Sequence, residues 1–179
     1  MGKENEMWDF MYAWRGEIVS VVAVAATYSA FRFVLHRSIG RMMIGGMLLG
    51  LAIEFSTEPE WTYSLKCYLW RDVSPFVIIG WGAHMTWVVL FSEWLFKKIF
   101  GTEPGNDFRL VITDVLAGVP ILTTGELLGL HVLKIWKYEA CLQWNTIIPG
   151  IQYPVEGIIA MVPFVMGVPS VLRFWRGPR

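Results

Sequence analysis

Three glutamates, Glu54, Glu126 and Glu156, stand near the ends of long apolar runs. An ionised side chain inside hydrocarbon costs on the order of 2.5–3.5 kcal/mol on insertion scales, so each asks for a reason. If the three converge, like-charge crowding and burial prevent them all from ionising, and at least one keeps its proton near neutrality. That group is a Brønsted acid. Alternatively each carboxyl faces water or pairs with Lys66, Arg71, Lys134 or Lys137. Other charges have simpler readings. Arg32 can snorkel to a membrane surface, and Glu93 precedes Lys97 by one helical turn, the favoured order for an ion pair. Asp114 is either a second functional carboxyl or a partner of Arg109 or Arg41.

Beside these acids one aromatic and thiol pattern occurs twice. "EWTYSLKCYLWRDVSP" (Glu60 to Pro75) and "IWKYEACLQWNTIIP" (Ile135 to Pro149) both read Trp-x-Tyr, two or three residues, Cys, two residues, Trp, four residues, Pro. Trp61, Tyr63, Trp136 and Tyr138 suit headgroup depth, because each ring is apolar with one polar tip. Belt preference does not explain the shared order, which points to a duplicated hairpin. Cys67 and Cys141 hold equivalent places and form either a disulfide, in an oxidising compartment, or two separate buried thiols. His84, in "GWGAHMTW" with Trp81 and Trp87 on its stripe, is either a packing residue or a contact for a bound molecule.

Other chemistries lack their residues. Glu126 and His131 are spaced to approach each other on a helix, but there is no His-x-x-x-His, Glu-x-x-His or Cys-x-x-Cys, so no metal or other cofactor is expected. A Gly-x-Ser-x-Gly elbow, a phosphate loop and a dinucleotide fingerprint are missing as well. Lys plus Arg equals Asp plus Glu at 15 each, which leaves no basic surplus for nucleic acid.

The elements that position these residues are apolar. The chain has 179 residues, 55% of them hydrophobic, with ten tryptophans and a mean hydropathy of +0.47, as expected of an integral membrane protein. Helices spanning roughly 30 Å of hydrocarbon at about 1.5 Å per residue are expected near Glu17 to Leu35, Arg41 to Phe55, Val73 to Phe96, Leu110 to Leu130 and Gly150 to Leu172. The expected fold class is therefore all-α: one polytopic bundle of about five spans over residues 1–179, with repeats at about 41–96 and 110–172. Basic residues in "HRSIGR", "KKIFGTEPGNDFR" and "RFWRGPR" put those connections in the cytoplasm of a prokaryotic plasma membrane. The amino terminus is then outside, the carboxyl terminus inside, and both aromatic copies lie on the outer face. The start lacks the basic region and cleavage site of a secretory signal. Gly46-x-x-x-Gly50 and Gly125-x-x-x-Gly129 suit close helix contact, and Pro120, Pro163 and Pro169 are expected to kink helices four and five.

With Glu126 upstream, Trp136-x-Tyr138 followed by Pro154-Val155-Glu156 resembles the lycopene cyclase domain proteins and, more distantly, the carotenoid hydratases. Their helical repeats carry an acid, then Trp-x-Tyr, then Pro-x-Glu-Glu at the next helix. The resemblance covers Gly50 to Pro75 and Gly125 to Pro163. Gly157 stands in place of the second glutamate, and in the first copy Asp72 precedes the proline with no acid after it. The resemblance implies metal-independent, proton-started cyclisation or hydration of an isoprenoid, with Glu54, Asp72, Glu126 and Glu156 as catalytic candidates. Trp61, Tyr63, Trp81, His84, Trp136 and Tyr138 would contact a lipophilic substrate arriving from membrane lipid. The competing expectations are a non-catalytic subunit of a larger membrane complex or homo-oligomer, and a pigment- or quinone-contacting protein using His84.

Overall fold

The computed structural model describes residues 2–139 and 142–177. A helix absent from the sequence expectation, α1 (Gly2–Ala13), precedes α2 (Arg15–Ser29), which widens into a π-helical turn over Ala30–Val34. There follow α3 (Gly40–Thr57), the short strand β1 (Trp61–Tyr63) and α4 (Pro75–Phe100). Next come α5 (Leu110–Leu127), continued as a π-helical segment over Leu128–Leu133, then β2 (Trp136–Tyr138), β3 (Ile147–Ile148), β4 (Tyr153–Pro154) and α6 (Val155–Arg176). The fold is mainly helical. Four stretches, Arg15–Val34, Pro75–Phe100, Leu110–Leu133 and Val155–Arg176, are long and apolar enough to cross a membrane. The shorter α3 is not among them by that measure, because Arg41 and Glu54 dilute its 18 residues.

Local chemistry sets the helix ends. Ser74 Oγ accepts from the Phe76 amide (3.3 Å) and Pro75 occupies the first turn of α4, which has no need of its amide proton. That helix ends at Gly101, whose φ of 70° lets its N–H return to Lys97 O. Pro120, Pro163 and Pro169 lie inside helices that continue through them.

The helices pack through small residues, since lipid offers no hydrophobic gradient to drive association. A Cβ on Gly46 would lie 3.0 Å from Gly82 Cα, and one on Gly118 would lie 2.6 Å from Val165 Cγ1. The space between is filled by a core that includes Met42, Met85, Val88, Val165 and Leu172. At one end of the bundle α4, α5 and α6 are tied by buried charges. Arg173 donates to both oxygens of Asp114 (2.8 and 2.5 Å), Ser92 donates to Asp114 (2.5 Å), and Arg176 donates to both oxygens of Glu93 (2.9 and 3.1 Å). The partner of Asp114 is thus Arg173, not Arg109 or Arg41; Arg109 is held by Asp107. Likewise Glu93 turns inward to the arginines and Lys97 pairs with Glu103.

At the opposite end the chain forms strands. β1 and β2 pair antiparallel, with Trp61 opposite Tyr138 and Tyr63 opposite Trp136, so the two copies of Trp-x-Tyr bind each other. Arg15 reaches the same end, donating to the carbonyls of Leu133 and Lys134 (2.9 Å to the latter).

Candidate functional site

Beneath the β1–β2 pair lies a cavity of about 270 Å³. Each carboxyl in it is placed by an element described above. Glu54 sits in the last turns of α3 and is 1% exposed. Its Oε1 accepts from Trp81 Nε1 of α4 at 2.8 Å. Gly50 makes that contact possible, because a Cβ there would lie 2.4 Å from Trp81 Cβ. The other oxygen, Oε2, is buried with no hydrogen bond of good geometry, and the Trp61 and Tyr63 side chains are its neighbouring donors. Trp61 Nε1 is buried and unpartnered too.

Glu126 faces Glu54 from α5. Both of its donors reach one oxygen, Oε2: Trp136 Nε1 at 3.1 Å and the Tyr138 hydroxyl at 2.8 Å. The π-helical segment after Glu126 supplies the geometry. It ends at Lys134 in the left-handed conformation (φ 52°), and the chain re-enters as β2 with Trp136 folded back over Gly129, where a Cβ would lie 2.0 Å from the indole. The Tyr138 hydroxyl lies 3.0 Å from that of Tyr153, which is fully buried against Gly157.

Burial pushes the Tyr63 hydroxyl well above the ordinary phenol range, and the charges of Glu54 and Glu126 push it further. Tyr138 and Tyr153 are raised by burial first and by Glu126 second. All three phenols therefore stay protonated; Tyr138 donates to Glu126, and Tyr153 meets the Tyr138 hydroxyl.

Of the residues singled out by sequence, Trp61, Tyr63, Trp81, His84, Trp136 and Tyr138 all line this cavity, as do Glu54 and Glu126. His84 Nδ1 meets Gly80 O at 3.2 Å, and the ring occupies the space left by Gly125. Two acids do not join them. Glu156 turns to the preceding loop, where its Oε1 accepts from the Thr146 amide (3.1 Å) and hydroxyl (2.6 Å). A carboxylate in the first turn of α6 is favoured there by the amides of the helix start, so it needs no role in the cavity. Asp72 lies in the turn between Trp70 and Val73, outside the cavity lining. The Cys67–Cys141 pairing falls outside the described residues because Cys141 is not among them.

The lining residues that escaped the sequence reading include Glu60, Trp144, Tyr153 and Phe164. Glu60 directly precedes the first Trp-x-Tyr, and Trp144 belongs to the repeated pattern, so both had a signal. The two copies diverge at that last tryptophan. Trp144 stacks toward Tyr138 (centroids 4.9 Å apart) at the cavity, whereas Trp70 lies on Phe55 with Arg71 above it and is 45% exposed. Among the described residues no three His, Cys, Asp or Glu side chains gather as a metal-ion site. The chain matches no family model, no curated protein and no solved structure.

Proposed function

We propose that the chain is an integral membrane enzyme that moves protons at a carbon–carbon double bond of a lipophilic isoprenoid or related lipid. The observation that carries this reading is a pair of carboxyls, Glu54 and Glu126, on one apolar, aromatic-lined cavity, each oriented by an indole N–H. Their hydrogen bonds suit different roles. Two donors converge on one oxygen of Glu126, as suits a carboxylate, while the buried Oε2 of Glu54 has the Trp61 and Tyr63 side chains near it but no hydrogen bond of good geometry, which leaves it able to turn an O–H toward an occupant.

In the proposed reaction the Oε2–H of Glu54 gives its proton to one alkene carbon. The π bond breaks, a C–H bond forms, and the neighbouring carbon becomes a cation. The faces of Trp61, Trp136 and Tyr63 stabilise it by roughly 0.5–2 kcal/mol per ring. In isomerisation an adjacent C–H then loses its proton to Glu126 as a double bond reforms; in cyclisation a second π bond of the chain first breaks to form the ring C–C bond, and the C–H beside the relocated cation loses the proton. Transfer of that proton from Glu126 back to Glu54 resets the site. In hydration, water adds to the cation and its spare proton goes to Glu126. The resemblance to lycopene cyclase domain proteins and carotenoid hydratases agrees with this chemistry, though Glu156 and Asp72 have no part in it here.

The same reading takes α3 as a fifth crossing, which places the amino terminus and the cavity on the outer side and the arginine cluster on the cytoplasmic side of a prokaryotic plasma membrane. It also takes α3–α4 and α5–α6 as duplicated hairpins joined by the β1–β2 pair, a reading supported by the register that sets one Trp-x-Tyr against the other.

The test is turnover of the apolar lipid extract of the source membranes by protein in lipid nanodiscs, followed by mass spectrometry. Glu54→Gln and Glu126→Gln should each remove product formation while leaving detergent stability near that of the parent. Full turnover in both variants would refute the assignment. Variants that fail to fold would instead favour the subunit reading.

A further inference from the structure

A cavity inside a membrane protein needs a way in for a water-insoluble molecule, and the side wall of the bundle contains one. On α6 the inward stripe Gly157, Val165, Pro169 and Leu172 is buried, and the outward stripe Ala160, Pro163, Gly167, Val171 and Phe174 is exposed. In a helix that crosses a bilayer the exposed stripe faces lipid. Ala160 is on the outward stripe and also lines the cavity, so the cavity reaches the lipid-facing surface at that residue.

Helical geometry says which seam opens. Ala160 shares its side of α6 with Phe164, one turn on, and with Trp175. Phe164 packs edge-on (5.5 Å) against Trp81 of α4, whose ring lies on Gly50 of α3, and Trp175 lies against Gly45 of α3. The seam is therefore the one between α6 and α3. Below Ala160 it is closed by Trp81 with Phe164 and, lower still, by Leu172 and Trp175 against Gly45. Beyond these closures toward the strand end, the last turns of α3 bring Ile53, Glu54 and Thr57 to the cavity lining.

We propose that Ala160, Ile53 and Thr57 frame a lateral portal between α3 and α6 through which a single hydrocarbon chain passes from the bilayer to the carboxyl pair. This rests on the reading of the cavity as a lipid site but not on the reaction assigned to it. The cavity itself is about 270 Å³, larger than the roughly 150 Å³ that holds benzene and too small for a whole long-chain lipid, so the rest of such a molecule must trail through the portal into the membrane. The small side chain at 160 then sets what width of chain is admitted.

The test is native mass spectrometry of nanodisc-embedded protein supplied with all-trans-geranylgeraniol. Ala160→Phe should reduce bound probe by about tenfold, the equivalent of about 1.4 kcal/mol. Thr57→Phe, on the opposite jamb, should do the same. Ile159→Phe, next in sequence but outside the cavity lining, should leave occupancy unchanged and controls for folding. Wild-type occupancy in both Ala160→Phe and Thr57→Phe would overturn the portal, as would failure of the parent protein to bind the probe. A wrong reaction assignment shows up separately, because it would fail the turnover test of Glu54→Gln and Glu126→Gln while leaving the occupancy differences among Ala160→Phe, Thr57→Phe and Ile159→Phe standing.

Discussion

The central contrast at the residue scale is between two glutamates with different hydrogen bonds. Glu126 Oε2 takes an indole and a phenol, and Glu54 takes one indole and leaves an oxygen bare. Tyr138→Phe removes the shorter of the two donors to Glu126 without changing shape. A hydrogen bond to a charged group contributes about 1.5–3 kcal/mol, so turnover should fall roughly 10- to 100-fold in the nanodisc assay, with lipid binding unchanged. An unaltered rate would mean that Glu126 does not act as the base. The sequence pointed to both glutamates, because a carboxyl at the end of an apolar run is costly wherever it goes. It could not separate them from Glu156, since position near a helix end says nothing about which way a side chain turns. That Thr146 would capture Glu156 depends on the path of a loop, and loop paths leave no periodic signal.

At the scale of elements the site is built on glycines that admit aromatic rings. Gly129→Ala would place a Cβ 2.0 Å from the Trp136 ring, whereas at Gly167 a Cβ would meet nothing within 4 Å. Overpacking of this kind costs about 1–3 kcal/mol, so Gly129→Ala should lower the thermal midpoint in detergent and Gly167→Ala should not. The far end of the bundle makes a separate prediction. Asp114→Asn breaks a bidentate contact with Arg173 in which Asp114 is wholly buried, and removing one partner of such a pair costs about 3–5 kcal/mol. The variant should unfold earlier in a thermal scan, yet any folded fraction should turn over normally. Helix positions could be read from hydropathy with errors of a few residues at their ends. Neither π-helical segment was legible, because each continues the helix before it and a change of winding alters no composition; the second of them sets where Trp136 falls relative to Glu126. The helix α1 was missed for the opposite reason, since its mixed charges and aromatics carry no clear period.

For the whole molecule the decisive arrangement is that the strand pair and the start of α2 share one end while the arginine cluster occupies the other. The two ends also carry the loops at Asn145 and Asn106, and the orientation proposed above expects Asn145 outside and Asn106 in the cytoplasm. In a background with Cys67 and Cys141 changed to Ser, a membrane-impermeant maleimide should label Asn145→Cys in intact cells and Asn106→Cys only after permeabilisation. The reverse pattern would overturn this orientation, and labelling of both from outside would remove α5 as a span. The most direct test of the central claim is carbon-bound deuterium in the isoprenoid product when the nanodisc protein turns over in heavy water. Proton delivery from Glu54 predicts that product made by the parent carries solvent deuterium on carbon and that Glu54→Gln yields none. Product free of carbon-bound deuterium, or labelled equally by Glu54→Gln, would contradict it.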